Sequence, residues 1–192
     1  SQMLYWTFLY PKNFFDLNIQ SLIVNTLLLV SLSSIILIFF SFISNYGNRV
    51  NKSKFLNFLT TISISGYALP GVILAVAYIT FIAWFDNTII NYFEIQSIKK
   101  IFIGSILGLV LAYFVRFYSL SCNGIKSSYA KLNNTLDESA YLAGYSKFKT
   151  FTNIHIPYLK SSIFFVIILI SLEVIRELPI TLILRPVSYT HL

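Results

Sequence analysis

Leu136-Asp137-Glu138-Ser139-Ala140-Tyr141-Leu142-Ala143-Gly144, followed by Ile154-His155-Ile156-Pro157, is a polar and charged passage between two long apolar runs. The run before it extends from Ile101 to Leu120. The run after it begins near Ser162 and continues through Phe164-Phe165-Val166-Ile167-Ile168-Leu169-Ile170. The first is long enough for a membrane-spanning helix, which needs about 20 mostly apolar residues, while polar Glu173, Arg176 and Glu177 interrupt the second. Ser21 to Ile43 and Leu59 to Phe85 are two more such runs. The chain therefore reads as all-α, a polytopic transmembrane helical bundle with spans at about 21–43, 59–85, 101–120 and 157–178. The polar passage is then the loop 121–161.

Composition agrees. The 192 residues are 56% hydrophobic and 11% charged, with a mean hydropathy of +0.73. A soluble domain carries about 25% charged residues, so lipid is the expected solvent. The net charge of +7 does not point to nucleic acid, because the basic residues lie in short loops and form no stripe with interleaved aromatics. Cys122 is the single cysteine, so no internal disulfide can form. His155 and His191 are isolated. His155 is expected at the loop surface, and neither is expected to hold a metal. No cofactor is implied. Ser1 to Gln20 lacks the basic region and short apolar core of a signal peptide. The start without Met, in mid-loop, is that expected of a fragment.

Loop charges orient the spans, since Lys and Arg concentrate on the cytoplasmic side. Ser1 to Gln20 holds Lys12. Loop 44–57 holds Arg49, Lys52 and Lys54. Loop 86–100 holds Lys99 and Lys100. Loop 121–161 holds Lys126, Lys131, Lys147, Lys149 and Lys160. Segment 1–20 and loop 86–100 are placed outside, and loops 44–57 and 121–161 in the cytoplasm. Arg116, about one turn from the expected inner end of its span, is expected to snorkel to the headgroups.

Within the long loop, Thr135 and Glu138 have capping-box spacing, which predicts a short helix from Leu136 to Ala143. Asp137 and Glu138 would complement its dipole, and Gly144 would end it. Ala140 and Ala143 would share a face, and Ser139 is also small, so another protein could approach closely. A second short helix is expected from Ser146 to Asn153, ending before Pro157, with Phe148, Phe151 and Ile154 turned inward. These features fit a docking element, and equally an amphipathic loop lying on the membrane.

The passage resembles the coupling loop of ABC importer permeases: Glu-Ala-Ala, three residues, Gly, nine residues, Ile-x-Leu-Pro. Glu138, Ala140, Gly144, Ile154 and Pro157 match; Ser139 replaces the first alanine and Ile156 the leucine. Gly66-Tyr67-Ala68-Leu69-Pro70-Gly71, Val115-Arg116-Phe117 and Arg176-Glu177-Leu178-Pro179-Ile180-Thr181-Leu182-Ile183-Leu184-Arg185-Pro186 look like segments of the iron(III) permeases. The similarity covers roughly Asn25 to Pro186. It implies the type I ABC importer permease (methionine-permease-like) fold, here partial, in the bacterial plasma (inner) membrane. The chain would be part of the C-terminal half of a fused permease, lacking the first and last spans of that half.

What the resemblance implies is iron(III) uptake coupled to ATP hydrolysis on a separate chain. Expected partners are a homodimeric ABC ATPase, a periplasmic or extracellular substrate-binding protein, the other permease half and membrane lipid. Thr135, Asp137, Glu138, Ser139, Ala140, Ala143, Gly144, Ile154 and Pro157 would serve ATPase coupling. The tail 187–192 breaks the resemblance and reads as non-native.

Pro70, flanked by Gly66 and Gly71, is expected to bend the second span, either as a gate in the translocation path or as a permanent kink. Glu173, Arg176 and Glu177 share a helix face, so Arg176 can pair with either acid, or all three can line the outer mouth of the path. No phosphate-binding Gly-Lys-Ser/Thr loop or buried catalytic constellation is present, so the chain does not read as an enzyme. A permease for thiamine, phosphonate, sulfate or polyamine is the nearest alternative. An intramembrane enzyme or a sensor is more distant.

Overall fold

The structure, a computed structural model, describes residues 19–51, 54, 57–58, 60–61, 65–93 and 101–184. Most of the external segment 1–20, Lys52, Lys99, Lys100, Arg185, Pro186 and the tail 187–192 lie outside the described residues. All regular elements among the described residues are helical. Helix α1 spans Ile19–Asn51 and α2 spans Gly71–Phe93, after a 3-10 turn at Ser65–Ala68. Helix α3 is Ile106–Tyr129, α4 is Asn134–Leu142 and α5 is Lys147–Thr150. A π turn at Phe151–His155 leads into α6, Ile156–Arg176, and α7 is Leu178–Leu184.

Four helices are long and apolar enough to cross a membrane: Ile23–Val50, Gly71–Tyr92, Ile106–Tyr129 and Lys147–Arg176. The polytopic helical architecture is therefore as expected, with shifted boundaries. An apolar run registers only the part of a helix inside hydrocarbon. The first and third helices continue beyond it, to Asn51 and Tyr129, as polar turns. The expected cytoplasmic loops at 44–57 and 121–161 thus begin as helix. The second span starts at Gly71, well after Leu59.

Helix α3 is the centre of the bundle. Leu109, Ala112, Tyr113, Phe117 and Ile125 on it are at most 1% exposed. It lies against α1, α2, α6, α7 and the 3-10 turn. Lipid tails are as apolar as leucine, so close packing and polar contacts must hold such helices together. Gly124 lets α6 come close: a Cβ there would lie 2.6 Å from Val166 Cγ2 of α6. Ser41 Oγ of α1 donates to Ser121 Oγ at 2.8 Å, and Asn45 Nδ2 donates to the Cys122 carbonyl at 3.1 Å.

Asp86 organises the entry to α3. It is 2% exposed. Its carboxylate accepts from the backbone N–H of Ile101, Phe102 and Ile103 at 3.0–3.3 Å. A buried carboxylate is tolerated where fixed donors replace its water. Asp86 falls inside α2, where a loop beginning at that residue was expected.

Candidate functional site

Among the described residues, the salt bridges gather in two clusters within the apolar bundle. The first lies where α1, α3, α4 and the π turn meet. Asp137 is at its centre. Arg49 Nε donates to Asp137 Oδ2 at 2.7 Å, and His155 Nε2 lies 2.7 Å from Oδ1. A carboxylate only accepts, so both contacts run toward Asp137. Arg49 spends its other donors on the carbonyls of Tyr129, Leu132 and Asn133, at 3.1–3.4 Å. Its guanidinium also stands 5.8 Å from the centre of the Tyr129 ring. Tyr46 OH donates to the Lys147 carbonyl at 2.6 Å. The end of α1 therefore holds both α4 and α5.

His155 is 1% exposed, not a surface residue. Tyr46, Tyr129 and Phe151 present ring edges or faces to it at 5.4–6.4 Å between centroids. Isolation in sequence concealed this. Its partners come from four separate stretches of chain.

The cap of α4 also differs from expectation. Asn133, not Thr135, is the N-cap: its side chain accepts from Thr135 N at 3.3 Å. The helix starts at Asn134, and Thr135 and Glu138 form no capping box. Both are exposed, as is Ser139, whose hydroxyl donates to the Thr135 carbonyl. Gly144 does end the helix, with φ +78°. Tyr145 N donates to the Ala140 carbonyl and Gly144 N to Tyr141, the Schellman arrangement. Ala140 and Ala143 do not present one open surface. Ala140 is 4% exposed and turned inward with Asp137, whereas Ala143 is exposed. Leu136, Tyr141 and Leu142 are exposed instead, Leu142 to 90%.

The expected helix from Ser146 to Asn153 does not stop before Pro157. It passes through the π turn into α6, with half-buried Ile154 in that turn and Pro157 in the first turn of α6. Proline fits there because its missing N–H is not needed. Phe148 points outward, 75% exposed, while Phe151 packs against Phe42 and Tyr46.

The second cluster lies halfway along α3. Arg116 is about 15 Å from the helix start and about 20 Å from its end. It is not one turn from the helix end, because α3 continues about two and a half turns past Leu120. Arg116 Nε lies 3.7 Å from Glu177 Oε2, with the two side chains 15% and 10% exposed. Arg116 also donates to the Leu69 carbonyl and stands 5.5 Å from the centre of the Tyr67 ring.

Two helix ends meet the pair. Glu177 caps the C-terminus of α6, before the chain restarts as α7. Gly71 opens α2, and a Cβ on it would lie 2.6 Å from Glu177 Oε1. Pro70 precedes α2 and does not kink it. Its carbonyl accepts the helical bond from Leu74 N at 3.1 Å. Gly66 sits in the 3-10 turn. Among the described residues, Arg176 takes part in no salt bridge and is exposed, with Glu173 half-buried. The ionic partner of Glu177 is Arg116, on another helix.

A cavity of about 170 Å³ adjoins this pair, with Thr26, Tyr113, Glu177 and Thr181 among its lining residues. Tyr113 OH and Thr181 Oγ1 are 2.6 Å apart. Among the described residues no three His, Cys, Asp or Glu side chains gather as a metal-ligand set would require. No protein-family model matches the chain, and no curated protein matches it, so its function is read from these two clusters.

Proposed function

We propose that the chain is the permease subunit of an ABC importer, built on the type I permease fold, with α4 as the helix that receives motion from a separate ATPase. One observation carries this reading. Helix α4 is tied to the bundle by one face and leaves the other free. Asp137 and Ala140 turn inward, and Arg49 and His155 clamp the carboxylate at 2.7 Å on both sides. Leu136, Tyr141 and Leu142 project outward from a polar loop. A load on the outer face passes through Asp137 to α1 and, through His155, to α6.

The basic-residue asymmetry supports a cytoplasmic position for this face, where an ATPase dimer works. ATP binding would move α4, and the spans would alternate between outward and inward access. A binding protein would deliver substrate from outside, and a second permease half would complete the path. Iron(III) is the substrate proposed from the resemblance; thiamine, phosphonate, sulfate and polyamine are the alternatives.

Exposed Phe148, between Lys147 and Lys149, favours a second reading in which α4 and α5 rest on the headgroups without a protein partner. Co-purification separates the two. The chain purified from its native membrane is expected to bring down a nucleotide-binding subunit, and Gly144→Trp is expected to abolish the association while membrane insertion persists. Unchanged association in Gly144→Trp contradicts the docking role. Cysteines at Lys147 and Asn91 are expected to label from inside and outside respectively, and the opposite pattern contradicts the topology.

A further inference from the structure

We propose that α1 and α6 hold one anionic phospholipid, with an acyl chain in the groove between them and the phosphate at Lys160 and Lys147. The site requires that the helices cross a membrane and does not depend on the permease reading.

The groove encloses about 650 Å³, from Ile43 to Leu27 along α1 and from Ile156 to Ser171 along α6. A rise of about 1.5 Å per residue makes each wall about 23 Å long. The π turn extends the second wall. The Ile156 N–H bonds to the Phe151 carbonyl, five residues back. That wider turn sets Ile156 in line with Phe151, and both line the groove. The stripe resumes at Ile163. Lys160 stands in the gap, four residues after Ile156 and three before Ile163, and so on the same face. Long helical side chains lean toward the helix N-terminus, which carries its ammonium to the Ile156 end. Lys147 stands one turn before Phe151.

Charge selects the headgroup. Lys147 and Lys160 are exposed, and among the described residues neither takes part in a salt bridge. Lys149 differs, with its ammonium 4.8 Å from the centre of the Tyr145 ring. Neither α1 nor the stretch from Lys147 to Ser171 contains an acid. Asp137 is already clamped by Arg49 and His155, and the Tyr46 hydroxyl is spent on the Lys147 carbonyl. This mouth of the groove therefore offers two ammonium groups without an internal counter-charge. Cations at a bilayer surface favour anionic lipid.

The walls select what lies behind the headgroup. From the mouth to Ile35 every lining residue is a large apolar one, over about 12 Å. One leaflet supplies about 15 Å of hydrocarbon. Hydroxyls line only the deeper half. Ser31 and Ser171 donate to the Leu28 and Ile167 carbonyls of their own helices, and the buried Ser34 hydroxyl has no partner among the described residues. Membrane helices approach one another on small residues, and the half nearest the lysines has none. That half suits a flexible chain over a helix.

The test places the full chain in phosphatidylcholine nanodiscs doped with a phosphatidylglycerol that carries a diazirine midway along one acyl chain. The same chain on phosphatidylcholine is the neutral probe, and labelled peptides are mapped by mass spectrometry. The charged probe is expected to label residues 35–43 and 156–163 above Val72, Val76 and Phe81, which are exposed on α2. Lys147→Gln and Lys160→Gln are each expected to lower groove labelling by the charged probe about fivefold, the preference one cation at an anionic surface supplies. Ile43→Trp, at an exposed lining position, is expected to lower it while labelling of α2 persists.

Equal groove labelling by the two probes, labelling no stronger than on α2, or unchanged labelling in both lysine variants or in Ile43→Trp would overturn the site. A groove that neither probe enters would also overturn it and assign the space to a helix of another chain.

Discussion

Both polar clusters pair an arginine with a carboxylate beside α3, and in both a tyrosine ring lies under the guanidinium. They differ in how completely the groups are used. At the junction of α1 with α4, Arg49 contacts Asp137 at 2.7 Å and three backbone carbonyls besides, and His155 takes the second carboxylate oxygen. At mid-depth, Arg116 and Glu177 stand 3.7 Å apart, each with an unpartnered atom among the described residues. The Asp137 cluster uses its polar atoms more fully, as the proposed role of α4 as a driven helix requires. The Arg116 cluster joins the C-cap of α6 to the start of α2 through a longer ionic contact.

The largest effect that would break this contrast is expected at Asp137. Asp137→Ala leaves Arg49 largely buried without its counter-charge and should cost about 3 kcal/mol, as when one partner of a buried pair is removed. Unfolding of the detergent-solubilised chain measures it. Double-mutant cycles sharpen the comparison: the coupling energy of Arg49 with Asp137 should exceed that of Arg116 with Glu177. Equal couplings would contradict the contrast between the two clusters.

A smaller effect tests the frame that both clusters share. Gly124→Ala forces a methyl against Val166 and should cost about 2 kcal/mol, typical of overpacking. Val166→Ala in the same chain should restore part of the loss. At the end of α4, Gly144→Ala should cost about 1 kcal/mol, from the left-handed backbone alone, since nothing lies within 4 Å of the added methyl. The smallest effect belongs to the helix start. Asn133→Ala should cost about 1 kcal/mol or less and Thr135→Ala still less, as read by amide exchange in α4. The reverse ranking would restore the capping box.

The four apolar helices and the polar passage between the last two were legible, because hydropathy and turn chemistry are local. Gly144 could be assigned for the same reason. Asp137 was legible only as a first-turn acid, since its partner Arg49 lies 88 residues away. His155 looked exposed because no neighbour in sequence announces Tyr46 or Tyr129.

Arg116 was misplaced by a boundary. Ser121, Cys122 and Asn123 end the apolar run, yet α3 continues to Tyr129 and leaves Arg116 at mid-height. Pro70, flanked by the small residues Gly66 and Gly71, reads in sequence as a bend within the second span. The effect of Pro70 and Gly71 is to start a helix, not to bend one, and only the packing of Glu177 against Gly71 shows why that start matters.

The most direct test of α4 as a driven helix is a crosslink from its outer face. A photo-reactive group at Leu142, 90% exposed, should attach to the nucleotide-binding subunit in an intact complex, and nucleotide should change the yield. Attachment only to lipid, or labelling of Leu142 from the external side of sealed vesicles, would contradict the account.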